Sequence, residues 1–332
     1  MSTASSLRFL EVCAGAGGLA LGLEDAGFAP AGLVENDATA LETLNINRPS
    51  WPLIQADLKE FDPVNHPAAL DADLLSAGTP RVKSTATVNR ASDEVERELV
   101  AAALYLVGAI RPRAVLIENV PGLVGKDEYA AVRGEIEDEL HHLGFRLFSA
   151  VLNACDFGVP QDRKHGFFVA LRDPWANAFS WPVPVDGPAP TVGDVLYRSM
   201  ATQGWEHAPT WAARAQRVAP TLVGGSDRRG GPDLGPSRAK KIWAEMGING
   251  GTVADDVPTA GTPWDLDGDV KDLPALTVSQ AALLQGFPSD WRIAGRKTRG
   301  YRQVGQAVPP PLAAAVGRQI AAALTTSLSD GS

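Results

Sequence analysis

The chain opens on a hydrophobic run, Leu7–Val12, that stops abruptly at the small residues Cys13-Ala14-Gly15-Ala16-Gly17-Gly18. An apolar run this short, rich in Leu, Phe and Val, reads as a strand buried on both faces. Leu19–Phe28 then reads as a helix. Strand-like segments recur at Leu33–Glu35, Leu53–Asp57, Asp73–Gly78, Ala114–Val120, Arg146–Leu152 and His165–Leu171, with helical periodicity in Val95–Ile110 and Tyr129–Leu143. This alternation predicts an α/β fold with a mostly parallel sheet and helices on both faces. From Trp181 to Arg299 the rhythm is lost, and Pro, Gly, Trp and Arg become frequent. There Leu276–Pro288 reads as a helix closed by a turn. Beyond it, Tyr301–Pro310 reads as a loop feeding an Ala-rich helix, with proline in its first turn. The expected division is residues 1–182 with 300–332, and a small irregular domain over 183–299.

Composition narrows this picture only modestly. The chain has 332 residues, 45% hydrophobic and 21% charged, which suits a globular protein with a substantial core. The net charge of −9 argues weakly against a nucleic-acid partner, so the clustering of basic residues matters more than the total. Two cysteines, Cys13 and Cys155, make no disulfide framework. No apolar run is long enough to cross a membrane, and the first residues lack a signal-peptide core, so a cytoplasmic protein is expected.

A strand, a glycine-rich turn and a helix N-terminus form the nucleotide-binding corner of open α/β folds, although an ordinary βα turn has the same appearance. Glu35-Asn36 lies about twenty residues on, where such folds place a ribose-binding acid. Asp57-Leu58 supplies another acid at the end of the third strand. With no Lys or Arg in the turn, the corner suits a nucleoside better than a phosphate. Glu118 at a strand end reads either as a catalytic acid or as a salt-bridge residue at the core edge. Arg214, Arg217, Arg228, Arg229, Arg238, Lys240 and Lys241 are interleaved with Trp205, Trp211 and Trp243. That stretch reads either as a solvated basic loop region or, as the interleaved aromatics favour, as a phosphate-contacting surface. No metal-ligand cluster stands out among the five histidines and two cysteines.

Taken in order, these stretches resemble the cytosine-C5 DNA methyltransferases over nearly the whole chain. Residues Cys13–Gly18 look like the family's S-adenosylmethionine motif, Glu35 like its ribose acid, and Asp57 like its adenine-amino partner. Glu118-Asn119-Val120 matches the family's Glu-Asn-Val. Gln161-Asp162-Arg163 begins its Gln-x-Arg-x-Arg. The stretches Leu284-Gln285-Gly286-Phe287-Pro288 and Gly305-Gln306-Ala307-Val308-Pro309-Pro310 match its last two motifs. The segment Ala219–Trp243 resembles the target-recognition region of members that read GC-rich palindromes. The resemblance implies a Rossmann-like fold, S-adenosylmethionine or S-adenosylhomocysteine as ligand, and double-stranded DNA as partner, with association to the nucleoid when bound. Cofactor contacts would come from Cys13, Ala14, Gly15, Ala16, Gly17, Gly18, Glu35, Asn36, Asp57, Leu58, Pro80, Gln306 and Ala307. It also implies a flipped base, a thiolate from a Pro-Cys loop that attacks C6, a Glu that holds N3, and an Arg that holds O2.

The sequence departs from that pattern where the chemistry would occur. Pro80 is present, but the nucleophile position holds Arg81, and a guanidinium is no nucleophile near neutral pH. The second Arg of Gln-x-Arg-x-Arg is His165, and the family's Asn is Gln306. Glu118, Arg163 and His165 therefore stand at the family's catalytic positions, and Arg81 is expected to plug the base pocket through a bidentate pair with Glu118. The reading favoured by the sequence is a restriction-modification homologue that binds DNA and has lost cytosine-C5 transfer, a pseudoenzyme. The alternative is an active S-adenosylmethionine-dependent DNA methyltransferase, or a base-flipping enzyme of another chemistry, such as a glycosylase using Lys83.

Overall fold

The structure is a computed structural model that describes residues 6–82, 92–223 and 232–326. The chain forms two compact units: residues 1–152, 164–183 and 312–332, and residues 153–163 and 184–311.

The first unit is built on a seven-stranded sheet. Its strands are β1 (Arg8–Val12), β2 (Ala29–Glu35), β3 (Leu53–Gln55), β4 (Leu74–Gly78), β5 (Ala114–Asn119), β6 (Phe145–Asn153) and β8 (Lys164–Arg172). The order across the sheet is β3-β2-β1-β4-β5-β8-β6. The ladders from β3 through β5 are parallel, and β8 runs antiparallel to β5. Chain order reverses between β1 and β4, which opens a crevice beyond their carboxyl ends, the usual ligand position in such sheets. Both faces of the sheet are covered. On one face Leu10, Val12, Leu75, Ala77, Val115 and Ile117 pack in a core with Val107 of α4 (Ser92–Ile110) and Ile136 and Leu140 of α6 (Ala130–His142). The alternate residues Phe9, Leu33, Leu74 and Leu116 are equally buried. Strands covered twice read as unbroken apolar runs, which is why the sequence showed them so plainly.

The helices complete this frame. Helix α1 (Gly18–Asp25) is shorter than expected, because the chain turns at Gly27 with φ +93°. Helix α2 (Ala38–Asn47) starts at Asp37, whose carboxylate accepts the N–H groups of Thr39 and Ala40 at 2.7 and 3.1 Å. Two short helices are α3 (Pro67–Leu70) and α5 (Pro121–Gly125). The final helix α12 (Pro310–Thr325) comes close to α1. A Cβ on Gly317 would lie 2.8 Å from that of Ala26, so only glycine fits there.

The second unit contains α7 (Val192–Ala201), α8 (Ala208–Arg214), α9 (Ser237–Glu245), α10 (Val278–Leu284) and α11 (Lys297–Gln306), with the short pair β7 (Gln161–Asp162) and β9 (Ala219–Pro220). Helices α7 and α10 each begin with a capping box, Thr191 with Asp194 and Thr277 with Gln280. Two expectations fail here. Tyr301–Gln306 is not a loop but the body of α11. It buries Gly300, Tyr301, Val304 and Gly305 on one side, a stripe too narrow to stand out among Lys, Arg and Gln. Nor do Trp205, Trp211 and Trp243 interleave a surface: all three are fully buried. Trp205 lies 6.4 Å from Trp211 and 6.0 Å from Trp264, ring centre to ring centre. With few long apolar runs, this unit draws its core from indole rings.

Trp243→Ala is therefore expected to lower the unfolding free energy by about 3–5 kcal/mol. Urea denaturation checks this; a loss below about 0.5 kcal/mol would be the behaviour of a surface residue.

Candidate active site

The chain leaves β1 through a turn that few residues can adopt. Cys13 has φ +57°, Gly15 +54° and Gly17 +82°. Glu35, at the end of β2, holds this turn in place. Its Oε2 accepts the Gly15 N–H at 2.7 Å, and its Oε1 accepts those of Asn36 and Asp37 at 2.9 and 2.8 Å. A Cβ built on Gly15 would meet nothing within 4 Å, so the turn faces open space. Asp57 lies just past β3 and accepts the Lys59 N–H at 2.9 Å, with Leu58 buried beside it. Asn36 is exposed.

The charges around this turn are of one sign. Burial pushes the Cys13 thiol up to about 12, and the carboxylates of Glu35, Glu11 and Asp57 add to the rise. Cys13 is thus a neutral thiol at physiological pH and no nucleophile. Glu11, which sequence reasoning missed, is raised well above the ordinary carboxylate range by burial and then by Glu35. The signal was available: an acid in the middle of an apolar strand.

Adjacent strand ends extend the cleft. The register pairs Val12 with Ala77, Gly78 with Glu118, and Asn119 with Gly166. The segment after β4 is held by Asn119. Its Nδ2 donates to the Thr79 hydroxyl at 3.0 Å and to the carbonyls of Thr79 and Pro80 at 3.3 and 3.1 Å. Its Oδ1 accepts the N–H groups of Val82 at 3.0 Å and Val120 at 2.8 Å. Asn119 was not singled out from sequence, where it was only the middle of a motif. Pro80 and Arg81 are exposed, while Val82 is buried.

The Glu118 carboxylate engages His165. Its Oε1 lies 2.6 Å from His165 Nδ1, and the two side chains are 12% and 2% exposed. An ionised carboxylate only accepts, so Nδ1 carries the hydrogen. Glu118 is thus paired with His165. The antiparallel ladder explains this: it sets the start of β8 beside the end of β5, bringing together residues that the sequence keeps far apart.

The remaining candidates belong to the second unit. Arg163 is buried, and its guanidinium donates to the Leu222 carbonyl at 3.1 Å. Gln161 accepts the Leu222 N–H at 2.9 Å, so both residues hold the β9 segment. Gln306 is exposed at the end of α11, and Ala307 is buried. Three of the basic residues have partners: Arg214 on the Glu245 carbonyl at 2.8 Å, Arg217 on the Glu245 carboxylate at 3.0 Å, and Lys240 on Asp233 at 2.8 Å. Arg238 and Lys241, one turn apart on α9, are exposed and have no partner among the described residues. Arg228, Arg229 and Lys83 lie outside the described residues. Among the described residues, no group of three or more His, Cys, Asp or Glu side chains has metal-site geometry, and no helix is long and apolar enough to cross a membrane.

A glycine turn is thus clamped by one strand-end acid, and a second strand-end acid is paired to an imidazole. The family model described as C-5 cytosine-specific DNA methylase matches residues 7–322. The chain belongs to this family. It is 42% identical over 320 residues to the type II methyltransferase M.NaeI of Lentzea aerocolonigenes, covering 96% of this chain and 76% of that protein. It is 37% identical over 318 residues to the type II methyltransferase M.NgoMIV of Neisseria gonorrhoeae, covering 95% of this chain and 97% of that one. Two solved structures share the fold. A triple mutant of Spodoptera frugiperda DNMT2 has a TM-score of 0.65 at 15% identity, covering 95% of this chain and 99% of that one. The Dnmt2 methyltransferase of S. pombe has a TM-score of 0.63 at 16% identity, covering 96% and 99%.

Thiol chemistry offers a check on the turn. Cys13 is expected to resist iodoacetamide at pH 8 and to react only as the pH climbs toward about 12. Mass mapping of the alkylated peptides reads this. Rapid labelling of Cys13 at pH 8 would mean an accessible thiolate, contrary to the acidic surroundings seen here.

Proposed function

We propose that this chain is a DNA-modification methyltransferase that binds S-adenosylmethionine and duplex DNA, and that it acts on a base without a cysteine adduct. The observation that carries this is the intact cleft: the turn held by Glu35 and the 79–82 segment held by Asn119, at the same sheet end as Glu118. Similarity to type II methyltransferases along almost the whole chain supports the DNA-modification part of this reading. The residues present fit the cofactor. Gly15 leaves open space at the turn, backbone N–H groups begin α1, and Glu35 and Asp57 offer carboxylate oxygens to hydroxyl and amino groups. When bound, the cofactor supplies an electrophilic methyl group on a positively charged sulfur.

The protein's own residues limit the chemistry open to a bound base. Cytosine-C5 transfer in this family needs a thiolate, and Arg81 stands where it would be. Cys13 is held neutral in the turn, and burial together with Asp156 also pushes the Cys155 thiol up. Glu118 is already hydrogen-bonded to His165, so a base entering the pocket meets a carboxylate with part of its accepting capacity used. The Arg81 substitution favours a second reading: a protein that binds cofactor and DNA and transfers nothing.

Incubation of the protein with duplex DNA and S-adenosylmethionine, with mass analysis of the nucleosides afterwards, separates these readings. A methylated base other than 5-methylcytosine is the expected result. Unchanged DNA with both ligands bound supports the second reading, and 5-methylcytosine would overturn the account of Arg81. Arg81→Cys alone is not expected to create 5-methylcytosine, because His165 still occupies Glu118 and groups acting as a unit do not add.

The irregular domain over residues 183–299 is proposed to recognise the DNA target, a GC-rich site on the resemblance of its 219–243 segment. Arg238 and Lys241 are the described cations placed to meet phosphates. Replacing both by Ala is expected to lower the slope of log K against log salt by roughly 1.8, the value for two phosphates. Fluorescence anisotropy across a salt series measures this, and an unchanged slope would remove α9 from the interface.

A further inference from the structure

A second cationic stretch lies beyond the segment from Arg214 to Lys241. Between Trp291 and Gln303 stand Arg292, Arg296, Lys297, Arg299 and Arg302, with no acid among them, in a chain whose net charge is −9. The helix that carries most of them, α11, is firmly seated. Arg296 is its N-cap and accepts the Gly300 N–H at 2.8 Å. Tyr301 and Val304 are fully buried, and a Cβ on Gly300 would lie 3.2 Å from Val278 of α10. With 3.6 residues per turn, the buried Gly300, Tyr301, Val304 and Gly305 share one side, which turns Arg299, Arg302 and Gln306 to the other. Arg292, Arg296 and Arg299 are exposed, and Arg302 is half-buried.

Little negative charge from the protein meets this side. Lys297 is engaged by Asp255 at 2.7 Å. Arg296 has no partner among the described residues, and the first turn of α11 holds no acid. Arg299 and Arg302 stand three residues apart on the helix, where like charges repel and a facing anion relieves the repulsion. Four of the five cations are arginine. A guanidinium stays charged at any physiological pH, and its planar fork of donors fits a phosphate. We propose that the exposed side of α11 contacts the phosphates of duplex DNA through Arg296, Arg299 and Arg302, in addition to Arg238 and Lys241 of α9. Such contacts fix where a duplex lies on the protein and carry no sequence information themselves. This rests on the reading that the chain binds duplex DNA.

The test uses the full chain and a short labelled duplex, read by fluorescence anisotropy across a salt series. Replacing Arg296 and Arg299 together by Ala is expected to lower the slope of log K against log salt by roughly 1.8, the value for two phosphates. Arg296→Ala alone, expected to lower it by roughly 0.9, gives a second reading at the cation that has no partner. The change should be the same on two duplexes of unrelated sequence. Arg296→Lys with Arg299→Lys should keep the original slope, because the charge is kept. If the unaltered chain binds the duplex and the Ala variants show its slope unchanged, this proposal is overturned and the DNA reading stands. A loss confined to one of the two sequences would overturn it too, by pointing to base contacts. So would polyglutamate binding as tight as that of the duplex and lost in the same variants, since the surface would then suit an acidic protein. If the unaltered chain binds no duplex at all, the DNA reading fails and this inference falls with it.

Discussion

Glu35 accepts three backbone hydrogen bonds, one from Gly15 on the turn and two from Asn36 and Asp37 just beyond its own strand. Backbone N–H groups at the end of a sheet have no ladder partner and must be satisfied by some other group. By taking them up, one carboxylate ties the exit of β1 to the exit of β2. The turn can then keep positive φ at Cys13, Gly15 and Gly17 and still present an open face. Each further part of the cleft is reached by stepping from one strand end to the next: Gly78 beside Glu118, and Glu118 beside the start of β8.

What the sequence showed of this frame depended on local repetition. Strands β1, β4, β5 and β8 are covered on both sides, so each appears as an apolar run with clear ends. The glycine turn and Glu35 were legible because the chain must turn there and because an acid closes the next strand. The pairing of Glu118 with His165 was not legible. The two lie 47 residues apart and meet only through an antiparallel ladder placed after a run of parallel ones. Helix α11 was hidden by its buried stripe of Gly300, Tyr301, Val304 and Gly305, in which two of four residues carry no side chain. The tryptophans misled for a related reason. In a unit with few Leu and Ile runs, aromatics scattered among arginines look like a stacking surface, although Trp211 and Trp243 are the centre of the core.

The cleft also differs in character from one end to the other. Around the turn, Glu35 and Asp57 set negative charge beside a neutral thiol. Two strands away, Glu118 shares its charge with an imidazole that is almost wholly buried. The first environment favours a cationic ligand. The second contains a carboxylate whose geometry is set by the protein before any base arrives, as happens when a preorganised group limits which ligand edges can be accepted.

Asn119 secures the segment after β4 through the carbonyls of Thr79 and Pro80, the Thr79 hydroxyl and the N–H of Val82. None of these contacts involves the side chain at position 81. The path of the backbone is thus written separately from the chemistry displayed on it, like a socket that grips the stem of a tool and ignores its tip. The hold on this segment is made through backbone atoms and one hydroxyl, so a single amide at the end of β5 fixes the course of the chain across the neighbouring strand end.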